Sequence, residues 1–226
     1  MKLNKKKVFV TALAVSMIAI LSVGSLAWFS ASDKVVNEFF VADSEDDTPE
    51  EIFSVDVWEY TENSPTEKVP AGDTYANVLP GDTLKKEPHV ANTGHYDQYI
   101  RVIVEISDAT AWINAVGMDI EMAEVFVGFD ETQWNNISMD ANGETDTITY
   151  VLYYKDVLTS GKDITLFTDV KIPESLTQAQ AAEFDGGFTI NVRAQAVQTE
   201  YVVPVGSIAG NEAYAAFKTV GLGVYQ

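Results

Sequence analysis

The 226-residue chain has no cysteine and few histidines or basic residues. Without a thiol it can form no disulfide and can carry out no thiolate chemistry. Its two histidines, His89 and His95, do not form the His-Glu-x-x-His helix of zinc peptidases, in which two imidazoles face one metal ion. No Gly-x-Ser-x-Gly elbow, phosphate loop or dinucleotide fingerprint is present. No familiar motif therefore identifies the chain as an enzyme.

The first 27 residues have the order of a secretory signal peptide. The basic start consists of Lys2, Lys5, Lys6 and Lys7. An apolar run follows over 8–23, and the small residues Ser25 and Ala27 are spaced as a signal peptidase requires, which predicts cleavage between Ala27 and Trp28. The alternative is an uncleaved anchor, because the uncharged stretch 8–32 is long enough to span a bilayer. We expect a secreted protein that contacts the membrane only through the uncleaved signal segment.

Acidic residues dominate the rest of the chain. Removal of the signal segment, with its four lysines, leaves 10 basic residues against 34 acidic ones, a formal charge of −24. Such a surface repels nucleic acid and anionic membranes, so neither is an expected partner. We expect the charge mainly to keep the exported protein in solution, with divalent cations and basic proteins as further candidates for binding.

The segment 28–42 is predicted to contain a strand that exposes apolar side chains. Those side chains are Val35, Val36, Phe39, Phe40 and Val41. The acidic run 43–51 follows and is predicted to be an extended linker. The strand either folds back as the first strand of its own domain or adds to a sheet edge of another molecule, and the residues leave both open. Donation from each copy to the next would give a contact that does not close, and hence a head-to-tail filament.

The remaining body, 52–226, is predicted to be all-β with minor helices: a jelly-roll-like antiparallel β-sandwich. Alternating apolar residues between turn signals are typical of half-buried strands. Strands are expected at 52–60, 83–91, 99–106, 122–129, 147–154 and 187–198. Pro88 favours an edge position for the second of them. Two short helices are expected, one after a capping box of Thr177 and Gln180 and one over 211–217.

Two groups of polar residues are weak candidates for metal binding. His89 and His95 flank the turn at 92–94 and could approach across a hairpin to share a metal ion, although two such histidines usually have no role of this kind. The acidic run 43–51 lacks the regular spacing of a calcium loop, which favours a solvated linker. We therefore predict no metal, no cofactor and no catalytic residue.

Two further hypotheses concern single side chains. Trp58, Trp112 and Trp134 could hold sugar rings, with a place in the core as the default for each. Lys34 in the predicted strand could form an amide crosslink to an asparagine or aspartate, with a buried carboxylate as proton shuttle.

A series of short motifs runs through the chain after the signal segment. The motifs are AWFS at 27–30, NEF at 37–39, LPGDT at 79–83, NTG at 92–94, the strand 99–105, LFTDVKIP at 166–173 and the strand 186–198. Together with the signal peptide they resemble the TasA/camelysin family of exported Gram-positive proteins, whose signal peptides are processed by a SipW-type signal peptidase. The resemblance implies a jelly-roll-like biofilm matrix protein that assembles into fibres by donating its N-terminal strand to a neighbour.

The expectation that follows is a secreted, pilin-like structural subunit at the cell surface or in the extracellular matrix. Its expected partners are further copies of the chain, the SipW-type signal peptidase and accessory matrix proteins. Camelysin-like members are classed as metallopeptidases, an alternative for which this sequence offers no ligand set. A carbohydrate-binding adhesin is the other alternative.

Overall fold

The structure is a computed structural model, and it describes residues 30–32, 53–70, 75, 78–117, 122–181, 183–184, 187–200, 202–206 and 211–222. Its strands pair antiparallel and form two sheets. The few helices are short. The predicted class, all-β with minor helices, is confirmed.

The first sheet has five strands and contains the longest apolar runs. In spatial order they are β1 (Ser30–Ser32), β10 (Ile190–Gln198), β4 (Gln98–Ser107), β7 (Thr147–Tyr154) and β6 (Trp134–Asn142). The interior strand β4 is buried along most of its length, as a strand covered on both faces must be.

Apart from the ten-residue β3, the strands of the second sheet have seven residues or fewer. In spatial order they are β2 (Val55–Thr61), β3 (Thr83–Asn92), β9 (Asp169–Lys171) and β5 (Phe126–Val127), with β8 (Asp163–Thr165) also paired to β3. The chain passes from one sheet to the other after β1, β3, β4, β5, β7 and β9. Connections of this kind, between two packed sheets, are those of a jelly-roll-like sandwich.

The main core lies between the two sheets, because both contribute to one buried cluster. From the first sheet it takes the predicted inward residues Ile100, Val102, Val104, Ile106, Ile148, Tyr150 and Leu152. From the second it takes Val55, Val90 and Val170. Burial of each large apolar side chain contributes about 1.5–3 kcal/mol, so these alternating faces stabilise the sandwich.

The edge position predicted for the strand with Pro88 is wrong, because β3 pairs with β2 on one side and with β8 and β9 on the other. Glu59 of β2 lies opposite Pro88, and its backbone N–H and C=O both form hydrogen bonds with Val69 instead of with the proline. On the other side, the carbonyl of Pro88 accepts a bond from the N–H of Leu166 at 2.9 Å, and the proline falls between the residues paired with β8 and those paired with β9. The missing N–H therefore lies at a break between two short strands, where it interrupts no ladder.

Both predicted helices are present, and the described residues contain two more. They are α1 (Ala109–Val116), α2 (Met122–Val125), α3 (Gln178–Ala181) and α4 (Glu212–Thr219). The capping box is reciprocal: the N–H of Thr177 donates to Oε1 of Gln180 at 2.9 Å, and the N–H of Gln180 donates to Oγ1 of Thr177 at 3.3 Å. Asn211 caps α4 through its side-chain oxygen, which accepts from the N–H of Tyr214.

The strand expected over 122–129 is wrong in its first half. Met122–Val125 is a helical turn, and only Phe126–Val127 pairs as a strand, with β9. Alternation was the basis of the prediction, but methionine, alanine and glutamate prefer a helix, and this preference prevails where no neighbouring strand pairs.

The outer face of the first sheet carries α4 and a second buried cluster. This cluster contains Tyr99, Val151, Tyr153, Val197, Val202, Ala213, Ala216, Phe217 and Val220. Arg101 lies beside it, 3% exposed, where Nε donates to Oε1 of Gln195 at 2.8 Å and Nη1 donates to the carbonyl of Leu222 at 2.6 Å. Its guanidinium is 4.5 Å from the ring centre of Phe217. One buried cation thus ties the sheet to the residues that follow α4.

The predicted N-terminal segments lie largely outside the described residues. These are the signal segment 1–27, the linker 43–51 and all of 28–42 except Ser30–Ser32. In the part of the chain that the structure describes, no helix combines the length and the apolar character needed to cross a membrane.

Candidate functional site

The outward side of β10 is the candidate interaction site. On one side β10 pairs with β4 along its whole length. On its other side β10 pairs through residues 195–197 with Ser30–Ser32 of β1. Backbone pairing at the rim of a sheet is the way in which an extended segment adds to a sheet edge.

The strand β1 lies at the rim of the first sheet. Ser30–Ser32 runs antiparallel to residues 195–197, with Ala31 opposite Ala196.

An apolar groove of about 730 Å³ lies beside the start of β10. Ile190 of the first sheet and Leu84 of the second both line it, so the groove opens between the two sheets. Trp112 also lines it and meets Phe184 and Phe188 edge to face, with ring centres 5.4 and 5.0 Å apart. The size and lining are suited to apolar side chains brought by a partner.

Two polar groups border this groove. Lys86 lines it with Nζ 2.7 Å from Oε2 of Glu59, and the two side chains are only 15% and 7% exposed. The indole N–H of Trp112 is buried and has no hydrogen-bond partner among the described residues. A buried donor left unsatisfied costs about 1–3 kcal/mol.

The predicted processing and donor positions lie outside the described residues. They are Ala27, Trp28, Lys34, Val35, Val36, Phe39, Phe40 and Val41. Their roles stay predictions, as does the crosslink considered for Lys34.

The two predicted metal candidates have different surroundings. His89 is 7% exposed within β3, and His95 is exposed in the turn that follows. Nδ1 of His89 lies 3.0 Å from Oδ2 of Asp163, and Nε2 lies 3.1 Å from Oε1 of Glu87. Carboxylates thus occupy both ring nitrogens, which leaves neither for a metal ion shared with His95. Across the described ranges, no group of three or more His, Cys, Asp or Glu side chains is arranged to hold a metal ion.

The outer face of the second sheet carries a stacked cluster around His89. The rings of His89 and Trp58 are parallel, with centres 3.9 Å apart, and Nζ of Lys68 lies 4.0 Å from the Trp58 ring centre. Burial raises the pKa of Glu87, but hydrogen bonds from Lys85 and His89 outweigh it and hold that pKa below its ordinary value. The cluster is an arrangement of satisfied charges joining three strands.

The three tryptophans that the structure describes offer no free platform for a sugar ring. Trp112 and Trp134 are core residues, 1% and 2% exposed. Both faces of Trp58 are covered, because His89 and Lys68 each lie about 4 Å away and cannot share a face. The default expectation of a core position is confirmed for Trp112 and Trp134.

Sequence reasoning missed the His89 cluster and the groove. The alternation of Glu87 with His89, and of Trp58 with Tyr60, was visible in the sequence. The two pairs come together only because the register between β2 and β3 sets Trp58 opposite His89.

No protein-family model matches the chain, and no curated protein matches it. The function is therefore argued from the β10 edge, the groove and the N-terminal segment.

Proposed function

We propose that this protein is a secreted structural subunit of extracellular matrix fibres. It polymerises when the N-terminal strand of one copy adds to the β10 edge of the next. The observation that carries the proposal is the antiparallel pairing of Ser30–Ser32 with residues 195–197. This contact supports the proposal, because the same pairing made between copies would generate a filament that does not close.

The groove beside the edge supports the proposal. The donor segment has apolar residues at Val35, Val36, Phe39, Phe40 and Val41. The groove of about 730 Å³ next to residues 190–194 is lined mainly by apolar and aromatic side chains that could receive them. In strand addition the backbone bonds supply affinity and the side chains that enter pockets supply specificity.

The composition and the motifs agree with this role. In the proposed pathway, a SipW-type signal peptidase removes residues 1–27 and the product is released outside the cell. Accessory matrix proteins are its further partners there. Resemblance to the TasA/camelysin family points to the same function. The formal charge of −24 makes separate bodies repel one another, so a specific strand contact has to supply the attraction.

Removal of residues 28–42 tests the proposal. The truncated protein should keep its far-UV circular dichroism and its cooperative unfolding, because the sandwich core comes from β2 to β10. It should form no fibres in electron micrographs under conditions in which the untruncated exported protein does. Fibres of unchanged form from the truncated protein would contradict strand donation.

A matched pair of variants separates the donor strand from general surface effects. Phe39→Asp with Phe40→Asp places two charges in the donor segment and should abolish fibres. Leu79→Asp with Val203→Asp adds the same charges at residues that are 63% and 74% exposed on the body, and it should leave fibres in place. Equal loss in both variants would indicate charge repulsion rather than a specific strand.

A further inference from the structure

We propose that Asn142 is a site of spontaneous deamidation in the folded protein. Asn142 ends β6, and Gly143 begins the turn that connects β6 to β7. The sequence contains no other Asn-Gly pair. The proposal concerns the covalent chemistry of this turn, and it stands independently of the fibre role.

The reaction needs only water and hydroxide beyond the two residues. The backbone nitrogen of Gly143 gives up its proton to hydroxide and attacks Cγ of Asn142, and the side-chain nitrogen leaves as ammonia. The new C–N bond closes a cyclic imide. Water then opens the imide at Cγ to give aspartate, or at the main-chain carbonyl of residue 142 to give isoaspartate, in which the chain continues through the side chain. The net change is the gain of one water and the loss of one ammonia.

The turn holds the carbonyl that is attacked. Oδ1 of Asn142 accepts hydrogen bonds from the backbone N–H groups of Glu144 at 2.9 Å and Thr145 at 3.3 Å. These bonds fold the side-chain amide over the peptide unit that supplies the attacking nitrogen. Negative charge develops on Oδ1 as the nitrogen adds to Cγ, and the two N–H groups stabilise it as an oxyanion hole does.

The turn is also open to the solvent. Asn142, Gly143, Glu144 and Thr145 are all exposed, so hydroxide and water reach the reacting atoms. Gly143 has no side chain to hinder the approach of its nitrogen. Apart from its two neighbours in the chain, no atom of the described residues lies within 4 Å of the place where a Cβ of Gly143 would be. The backbone therefore has room to move into the geometry of the imide.

Asn92 has the same type of turn in a protected setting. Its Oδ1 also accepts from the N–H two residues further on, that of Gly94, at 3.1 Å. However, Asn92 is only 1% exposed, and its Nδ2 donates to the carbonyls of Tyr96 and Leu158, both at 2.8 Å. The residue that follows is Thr93, whose branched side chain hinders attack by its backbone nitrogen. We expect Asn92 to remain an asparagine, which makes it an internal control.

Deamidation has a structural consequence because the same turn supports α1. The carbonyl of Asp146 accepts from the N–H of Ala109 at 3.0 Å, and its Oδ1 accepts from the N–H of Thr110 at 2.8 Å. These bonds satisfy N–H groups at the start of the helix, which have no partner within it. Isoaspartate at position 142 lengthens the backbone of the turn, so amide hydrogen exchange at Ala109 and Thr110 should become faster. Unchanged exchange in protein enriched in isoaspartate would rule out this consequence.

Peptide mapping of the folded protein tests the proposal. The protein is incubated at neutral to mildly alkaline pH, digested with pepsin at acid pH, where the reaction is slow, and analysed by mass spectrometry. The peptide that contains position 142 should gain the mass difference between OH and NH2 and should separate into an aspartate and an isoaspartate form. The rate should rise with the concentration of hydroxide. The peptide that contains Asn92 should keep its mass.

Two variants and the unfolded chain complete the test. Gly143→Ala places a methyl group beside the attacking nitrogen in open space, so it should slow conversion several-fold without disturbing the fold. Asn142→Gln requires a larger ring and should abolish the mass change in this peptide. Protein unfolded in urea keeps the Asn-Gly pair but loses the hydrogen bonds of the turn, so it should convert no faster than folded protein.

The proposal would be overturned if Asn142 stayed intact in the folded protein while it converted in the unfolded chain. Equal conversion of Asn92 and Asn142 in the folded protein would also contradict it, because the exposed turn would then have no special role. None of these measurements depends on fibre formation, so the result leaves the proposed function to its own tests.

Discussion

At the scale of single residues, the buried polar side chains of this protein join strands. His89 in β3 bonds to Asp163 in β8 and to Glu87 on its own strand, while its ring stacks on Trp58 of β2. His89, one of the two histidines considered as metal ligands from the sequence, thus links β2, β3 and β8.

Replacement of His89 should lower the stability of the fold. His89→Gln removes the stacked ring and the contacts of its two nitrogens with Glu87 and Asp163, while Lys85 still donates to Glu87. We expect the free energy of unfolding to fall by about 1–3 kcal/mol, measured by urea denaturation. His95→Gln is the control, because this exposed residue should change stability by no more than about 0.5 kcal/mol. Equal stability of the two variants would show that the cluster contributes nothing.

At the scale of elements, the place of a strand or helix in the fold depends more on the strands it contacts than on the conformational preferences of its own residues. The second predicted strand is interior although it contains Pro88, because a gap between β8 and β9 accommodates the missing N–H. The apolar side of helix α4 packs against the outer face of the first sheet. Arg101 on that face donates a hydrogen bond to the carbonyl of Leu222, which follows the helix.

Loss of Arg101 should loosen the C-terminal helix selectively. Arg101→Met keeps an apolar stem but leaves Gln195 and the carbonyl of Leu222 without this donor. We expect faster amide hydrogen exchange in 212–222 and a loss of about 1–3 kcal/mol in the free energy of unfolding.

The control for this prediction is Arg193→Met. Arg193 pairs with Glu105 on the same face, but both side chains are 26% exposed, so the variant should lose at most about 1 kcal/mol. Exchange in 212–222 that is no faster in Arg101→Met than in Arg193→Met would rule out the anchoring role.

At the scale of the whole molecule, charge would oppose the proposed assembly and the strand contact would favour it. Residues 28–226 have a formal charge of −24, so copies without the predicted signal segment repel one another at a distance. Salt shortens the range of this repulsion from about 30 Å at 0.01 M to about 10 Å at 0.1 M. Backbone pairing and apolar burial at the β10 edge are much less sensitive to salt.

Fibre growth should therefore accelerate as salt is raised over this range, as followed by light scattering. NaCl and MgCl2 compared at equal ionic strength separate screening from specific binding of a divalent cation, and screening predicts equal rates. Growth that slows with salt would show that ionic attraction, rather than strand addition, holds the subunits together.

Local patterns in the sequence determined the all-β class and the inward faces of β4 and β7. This succeeded because the side-chain period of a strand is a property of a few consecutive residues. The same local view misjudged 122–129, where alternation competed with helix preference.

Only the tertiary structure decided what depends on partners far apart in the chain. His89 and Asp163 are separated by 74 positions, and the groove draws on both sheets, so neither site can be found from neighbouring residues alone. The pairing of Ser30–Ser32 with β10 likewise depends on which strand remains at the rim once the others have paired. Strand order and register are properties of the whole fold, because the strand that lies at the rim of a sheet is set by how all the other strands pair.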